Sequence, residues 1–183
     1  MKNSSLTFLS FLFLSLITGA CADRQDFDQY NNLQLTPAVE ASMLYVESTE
    51  SFINDSSPGM YYSEEFNFDA FAETFVSENV LDGVITYELE NTTSKDLELL
   101  VEFLDEAGNV LDTELFTIEA APTGVLRREV AYGGPSGRSI DIIRNTSGFR
   151  LTGRNLGDNS SISSLPDPKA IFRSSAKIRI ELQ

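Results

Sequence analysis

Apolar and polar side chains alternate along residues 83–114 with a period of two. The apolar positions of the first two runs are Ile85, Tyr87 and Leu89, followed by Leu97, Leu99, Val101 and Phe103. A period of two places one set of side chains on a single face of a strand, as expected when that face is buried. The intervening segments, 91–96 and 105–109, are rich in residues that favour turns. The stretch therefore predicts two antiparallel strands and the start of a third, joined by two tight turns.

Further strands are predicted on both sides of this stretch. Their ranges are 38–47, 110–118, 125–132, 149–154 and 172–182. Alternation is strong in the last range, where apolar side chains share one parity and most charged side chains take the other. We expect this final strand to close a sheet, so that its removal unfolds the domain.

Short helices are predicted at two places. The aromatic segment 65–76 has strand spacing at its start and helical spacing after Asp69, a good N-cap residue. Ser139 is the N-cap candidate for a second helix, which ends before Gly148.

The strand and helix pattern predicts the fold class. Turn residues make 48–63 a loop, and two prolines do the same for 160–168. Eight or so short strands with one or two short helices predict a mainly β fold. We expect a single domain over residues 36–183, folded as an antiparallel immunoglobulin-like β-sandwich.

Composition excludes several kinds of chemistry. The chain has 183 residues, of which 42% are apolar and 22% charged, so it can form one ordinary core. Its net charge of −15 opposes nucleic-acid binding, which depends on basic groups. It contains no histidine and a single cysteine, Cys21. Zinc sites of the Cys/His type, Ser-His-Asp triads, Cys-His nucleophiles and an internal disulfide are therefore excluded, and no cofactor is predicted.

The amino terminus predicts export. Lys2 precedes an apolar run at 6–17, which has the length of a secretory signal and is too short to span a bilayer. The following residues, Thr18-Gly19-Ala20-Cys21, resemble the bacterial lipobox. The resemblance implies a lipoprotein signal peptide at 1–20 and a lipid on the Cys21 thiol that anchors the protein in the membrane. The alternative is ordinary cleavage at an A-x-A site after Ala22.

Residues 21–35 are polar and acidic, and we expect them to form a flexible tether. Acidic residues behind a lipidated cysteine resemble the surface-export signal of lipoproteins in Bacteroidota. This resemblance implies an outer-membrane location, on the periplasmic face or at the cell surface. The alternative is a solvated linker without a sorting role.

A motif lies in the first strand and the turn of the predicted hairpin over residues 97–118. Val-Glu-Phe-Leu-Asp at 101–105, with Gly108 and Val110, resembles the FxLYD motif of an envelope β-sandwich family. The resemblance extends over about residues 83–130. The same stretch is also similar to late-embryogenesis-abundant-type sandwiches. These families imply a β-sandwich and supply no common catalytic residues. The full chain is similar to small lipoproteins of Bacteroidota, which implies a location but no activity.

Charge is divided unevenly along the chain. Residues 22–121 hold 23 acidic and 2 basic side chains, whereas residues 122–183 hold 5 acidic and 10 basic ones. One interpretation is a dipolar surface whose basic end docks a partner. The other is internal pairing, in which acidic strands such as 98–102 lie beside basic strands such as 177–179.

Few residues suggest a ligand. Backbone amides ahead of the second helix, at Gly137, Arg138 and Ser139, form a candidate anion site, and the alternative is a plain strand-to-helix turn. The Walker spacing is absent, so no nucleotide is predicted. No D-x-D-x-D-G run is present either, and no metal site or catalytic residue is predicted.

Two functional hypotheses follow. The first is a non-enzymatic envelope lipoprotein, an accessory or interaction subunit that binds another envelope protein. The alternative is a surface sandwich that binds or hydrolyses glycans with two carboxylates and aromatic platforms such as Tyr61, Tyr62 and the phenylalanines.

Overall fold

The computed structural model describes residues 34–71, 73–120 and 124–182. The predicted signal peptide at 1–20, Cys21, and the predicted tether up to residue 33 lie outside this range. The strands are β1 (Ala38–Thr49), β2 (Met60–Asn67), β3 (Val80–Asn91), β4 (Leu97–Leu104), β5 (Val110–Ile118), β6 (Leu126–Gly133), β7 (Gly148–Asn155) and β8 (Lys169–Ile180). The helices within the same residues are α1 (Glu50–Asp55), α2 (Thr74–Asn79) and α3 (Ile140–Asn145).

The strands form two four-stranded antiparallel sheets. The first sheet has the order β1-β8-β3-β6 and the second the order β2-β7-β4-β5. The expected mainly β, antiparallel sandwich is thereby confirmed. The immunoglobulin-like connectivity is wrong, because such a sandwich has the strand orders 1-2-5-4 and 3-6-7, whereas here β4 and β5 are the one pair of sheet neighbours that follow one another among the described strands. The last strand, β8, lies between β1 and β3 inside the first sheet and not at an edge.

The core lies between the two sheets and is built from the alternating apolar positions. Tyr87 of the first sheet and Phe116 of the second have ring centroids 5.2 Å apart. Phe103 contacts Phe149 edge to face at 4.9 Å on the neighbouring strand. Burial of such side chains supplies most of the stability of a small domain.

The predicted pairing of β3 with β4 is wrong. β3 belongs to the first sheet and β4 to the second, so residues 92–96 carry the chain from one sheet to the other. The reason is that alternation identifies the buried face of a strand but not its neighbour. The second turn is a hairpin, in which the Asp105 carboxylate accepts hydrogen bonds from the amides of Ala107 and Asn109.

The described residues contain three short helices where the sequence predicts one or two. The additional helix is α1, which lies in the predicted loop 48–63 and is capped by the Thr49 hydroxyl. α2 has Glu73 and not Asp69 at its N-cap. α3 begins after Ser139, whose hydroxyl accepts from the Asp141 amide as a capping residue does.

The uneven charge is used mostly for pairing between neighbouring strands. Glu98 and Glu102 on β4 bind Arg154 and Arg150 on β7, at 3.4 and 3.2 Å. The predicted partners of these glutamates on β8 are wrong, because β4 and β8 lie in different sheets. Ten of the eleven lysines and arginines in the described residues form an ion pair, the exception being Lys177. Internal pairing therefore accounts for the basic part of the chain.

Candidate functional site

The sandwich has two different ends. The described chain enters it at residue 34, and Leu35 bridges to Leu182 at this end. The opposite end, which we call the loop end, consists of α1, residues 92–96 and the loop 156–168. β1 runs from one end to the other over 12 residues, or about 36 Å.

The loop 156–168 has no helix or strand, although loops of such length inside compact domains are uncommon and frequently functional. Side-chain amides attach it to its neighbours. Asn159 donates to the carbonyl oxygens of Asn54 and Ser56, at 3.2 and 3.1 Å, and so binds the loop to α1. Asn155 closes the start of the loop by donating to the Asp158 carbonyl oxygen at 2.9 Å. The loop is thus held in one conformation against α1.

Lys95 lies beneath this loop, with its side chain 0% exposed. Its ammonium group is 3.0 Å from the Asp158 carboxylate and donates to the Ser161 carbonyl oxygen at 2.8 Å. Asp158 also accepts from the Ser161 hydroxyl and from the amides of Ser161 and Ser160. These hydrogen bonds, followed by the Lys95 contact, hold the pKa of Asp158 well below its usual range.

Glu50, the first residue of α1, joins three segments and is 2% exposed. One carboxylate oxygen accepts from the amide and hydroxyl of Ser94, both at 2.6 Å. The other accepts from the Ser163 amide at 2.8 Å. Burial alone would raise the pKa of Glu50, but these three hydrogen bonds and the Lys95 charge together lower it. A buried carboxylate therefore connects α1, the sheet crossing and the loop.

The crossing at 92–96 is itself fixed by a buried asparagine. Asn91 donates to the carbonyl oxygens of Lys95 and Glu119, at 2.7 and 2.9 Å, and accepts from the Thr93 amide and hydroxyl. Buried polar groups of this kind are stable only when they find partners. The loop end is consequently a connected hydrogen-bond network and not a collection of independent loops.

The pKa directions at Glu50 and Asp158 predict acid sensitivity. A carboxyl whose pKa is lowered by folding stabilises the protein above its unfolded pKa, and this stability is lost as the pH falls through the folded pKa. We therefore expect the unfolding midpoint to drop as the pH falls below about 4, the ordinary carboxyl range. Thermal unfolding between pH 7 and pH 2 measures this. Glu50→Gln is the matched variant, and its midpoint should vary less with pH than that of the unmodified chain. If the midpoint of Glu50→Gln varied with pH as steeply as that of the unmodified chain, the lowered pKa of Glu50 would be contradicted.

Several apolar side chains are exposed at the loop end among polar and charged ones. Five large apolar side chains there are between 39% and 79% exposed: Phe52, Met60, Leu156, Ile162 and Leu165. Ile162 has the highest exposure and lines a depression of about 360 Å³ with Asn54, Asp55 and Pro168. Sequence reasoning missed this surface. The available signal was three apolar residues, Leu156, Ile162 and Leu165, in a loop that otherwise consists of serines, prolines, glycine and polar residues.

The predicted anion-site residues lie in the turn between β6 and α3. Ser139 caps α3, and Arg138 is directed to β5, where it contacts Asp112 and Glu114 at 2.5 Å each. Burial opposes the charge on Arg138, but these carboxylates outweigh it and raise the pKa of Arg138. The anion site at Gly137, Arg138 and Ser139 stays a prediction. The guanidinium of Arg138 already has two carboxylate partners.

Asp112 and Glu114 are a pair of carboxylates two residues apart on β5. Glu114 is buried and also contacts Arg128 of β6 at 3.1 Å, and Asp112 accepts from the Tyr132 hydroxyl at 3.1 Å. A glycosidase dyad needs one protonated carboxyl group. Here each carboxylate binds an arginine, so the cluster acts as an ion-pair connection between the two sheets at their β5 and β6 edges.

The aromatic residues considered as a glycan platform are packed against the fold. Tyr61 covers Gly153, where an added Cβ would lie 2.6 Å from its ring, and burial raises the pKa of Tyr61 to about 12. Tyr62 packs against the core and donates to Glu64. Phe71 is buried, whereas Phe75 is exposed. These side chains do not form a row of exposed rings.

The described residues contain neither a metal cluster nor a membrane-spanning helix. There, no group of three or more Asp, Glu, Cys or His side chains is arranged to hold a metal ion. Every helix in the same part of the chain is too short or too polar to cross a bilayer. Cys21, the predicted lipidation residue, lies outside it.

Comparison with known proteins identifies no family. No family model matches the chain, and no curated protein matches it. Among solved structures, the Bacillus endospore appendages, which form disulfide-linked pili, align over 80% of this chain and 91% of theirs, with 9% identity and a TM-score of 0.38. The Desmodium yellow mottle tymovirus aligns over 81% and 90%, with 6% identity and a TM-score of 0.37.

A third similar structure is the infectious bursal disease virus VP2 subviral particle. It shares 11% identity and has a TM-score of 0.38, and the alignment covers 81% of this chain but only 33% of the viral one. At such similarity these structures say nothing about what this chain does.

Proposed function

We propose that this protein is a non-enzymatic lipoprotein of the cell envelope, an accessory subunit that binds another protein. A lipid on Cys21 anchors it to the outer membrane, on the periplasmic face or at the cell surface, and residues 21–35 form the tether. Its lipobox, acidic tether and FxLYD-like stretch at 101–105 are the sequence features that support this proposal.

The observation that carries the interaction role is the construction of the loop end. Buried Lys95 and Glu50 fix a long loop, and the same loop exposes Ile162 to solvent by 79%. A folded protein gains no stability from so exposed an isoleucine. Exposed apolar patches with polar surroundings are typical of protein interaction sites. The network therefore holds a contact surface in a defined shape.

The glycan hypothesis has less support from the geometry. Tyr61 and Tyr62 are packed, and the carboxylates Asp112 and Glu114 bind arginines. A glycan array probed with the full chain in detergent provides a direct comparison, because only the glycan hypothesis expects selective binding.

Co-purification tests the proposed function. Full-length protein is extracted from cell envelopes with mild detergent, and its mature amino terminus is analysed by mass spectrometry. We expect acyl chains on Cys21 and one reproducible, identified protein partner in near-stoichiometric amount. Cys21→Ala is the control, and it should lose the acyl chains and leave the membrane fraction. An unmodified Cys21 would contradict the anchor, and a strictly monomeric protein without a reproducible partner would contradict the interaction role.

A further inference from the structure

Charge at the loop end is distributed unevenly between the surface and the interior. Asp55, Asp96, Asp158 and Asp167 are exposed carboxylates of this end. Lys95, a lysine of the same end, is completely buried beneath the loop. Lys169 is 27% exposed and is bound by Glu47 and Asp167. Ile162 therefore shares its depression with two exposed carboxylates, Asp55 and Asp167, which form the acidic rim of this end.

We infer that the loop end docks into an apolar groove rimmed by lysine and arginine on the partner protein. The inference rests on the proposed function and adds the chemistry of the partner. Interfaces commonly combine an apolar centre with a polar rim, and opposite charges on the two rims speed association and exclude wrong partners. Ile162, the most exposed apolar side chain of the set, fills the groove, and Asp55 faces its basic rim.

The acidic rim excludes other occupants. An anionic membrane surface would repel exposed Asp55 and Asp167, because such surfaces attract basic segments. A second copy of this chain would bring two acidic rims together, and like charges across an interface are unfavourable. A protein surface with an apolar groove and a basic rim matches both the apolar side chains and the acidic rim of the loop end.

The rigidity of the loop favours tight docking. Ordering a flexible loop at an interface costs free energy, and a loop already held in its bound shape avoids most of this cost. Asn159 and Lys95 hold the loop 156–168 on two sides, against α1 and against the sheet crossing. The contact surface is thus formed before the partner binds.

Site-specific crosslinking locates the contact. A photoreactive amino acid replaces Ile162 in the full-length chain, and two further chains carry it at Leu115, on β5, or at Glu106, at the opposite end. The crosslinked product is identified by mass spectrometry after irradiation of intact cells. We expect one protein product from position 162 and none from positions 115 and 106.

Binding measurements then test the chemistry with the identified partner and full-length protein in detergent. Ile162→Ser should weaken binding roughly tenfold or more, as is typical of a central contact residue, whereas Leu115→Ser, the same kind of change at another exposed apolar side chain, should not. Asp55→Lys should slow association at low salt, and Asp69→Lys, at the opposite end, is its matched control. Thermal unfolding confirms that each variant is folded.

The possible failures are distinguishable. A partner that crosslinks only from position 106 or 115 would overturn the docking inference and leave the proposed function standing. A lipid product or a second copy of this chain at position 162 would also overturn the inference. If none of the three positions gave a crosslinked protein, the result would count against both the docking inference and the proposed function.

Discussion

A chain that ends at Asp167 does not fold. It lacks β8, which pairs with β1 on one side and with β3 on the other. β1 has no other strand neighbour within the described residues, so the deletion leaves it unpaired. The deletion also removes the buried side chains of Phe172, Ala176, Ile178 and Ile180 from the core. The free-energy cost of losing several such side chains exceeds the total stability of a domain of this kind, which is roughly 5–15 kcal/mol.

Circular dichroism and chemical denaturation measure this expectation. The shortened chain should show no β-sheet spectrum and no cooperative transition. A chain that ends at Glu181 is the control, because it keeps all of β8 and loses mainly the bridge between Leu182 and Leu35. A cooperative transition in the chain that ends at Asp167 would show that the first sheet does not depend on β8.

Lys95→Met lowers the free energy of unfolding by roughly 2–3 kcal/mol, because the Asp158 and Ser161 hydrogen bonds are lost and methionine only replaces the apolar stem. The Ser161 carbonyl oxygen loses its ammonium donor. Urea denaturation gives the free-energy difference, and hydrogen exchange shows where it acts. We expect the substitution to speed up amide exchange, relative to the unmodified chain, more in the loop 156–168 than in β4 and β7.

Lys177→Met is the matched control. It makes the same chemical change on an exposed side chain that forms no ion pair within the described residues. Surface substitutions of this kind usually change stability by less than about 0.5 kcal/mol. Equal effects of the two substitutions would contradict a structural role for buried Lys95.

Local features of the fold could be predicted from the sequence. The strand predicted over 110–118 has the bounds of β5, and Ser139 predicts the start of α3. These signals depend on neighbours within a few residues, namely the period of a strand and the cap of a helix. The mainly β sandwich follows from their sum.

The pairing of strands could not be predicted in the same way. A period of two gives a buried face and says nothing about which strand lies alongside. The segment 91–96 has turn composition, and it forms a crossing between sheets because Asn91 and Lys95 are buried there. Their burial depends on Glu119 and Asp158, which are distant in the sequence.

The candidate site depends on still longer separations. Glu50 accepts from Ser163, which is 113 residues away, and Lys95 reaches Asp158 across 63 residues. Glutamate at a helix start and a serine-rich loop each have ordinary solvated explanations. Only their contacts show that the loop is attached to α1 and to the sheet crossing.

The course of β1 has a mechanical consequence. The described chain enters at residue 34, and β1 leads from there to the loop end, held by its hydrogen bonds to β8. A pulling force between the two ends acts along the strand, while the hydrogen bonds of the antiparallel ladder run across it. The load is then shared by the whole β1–β8 ladder in shear, instead of breaking its bonds one after another.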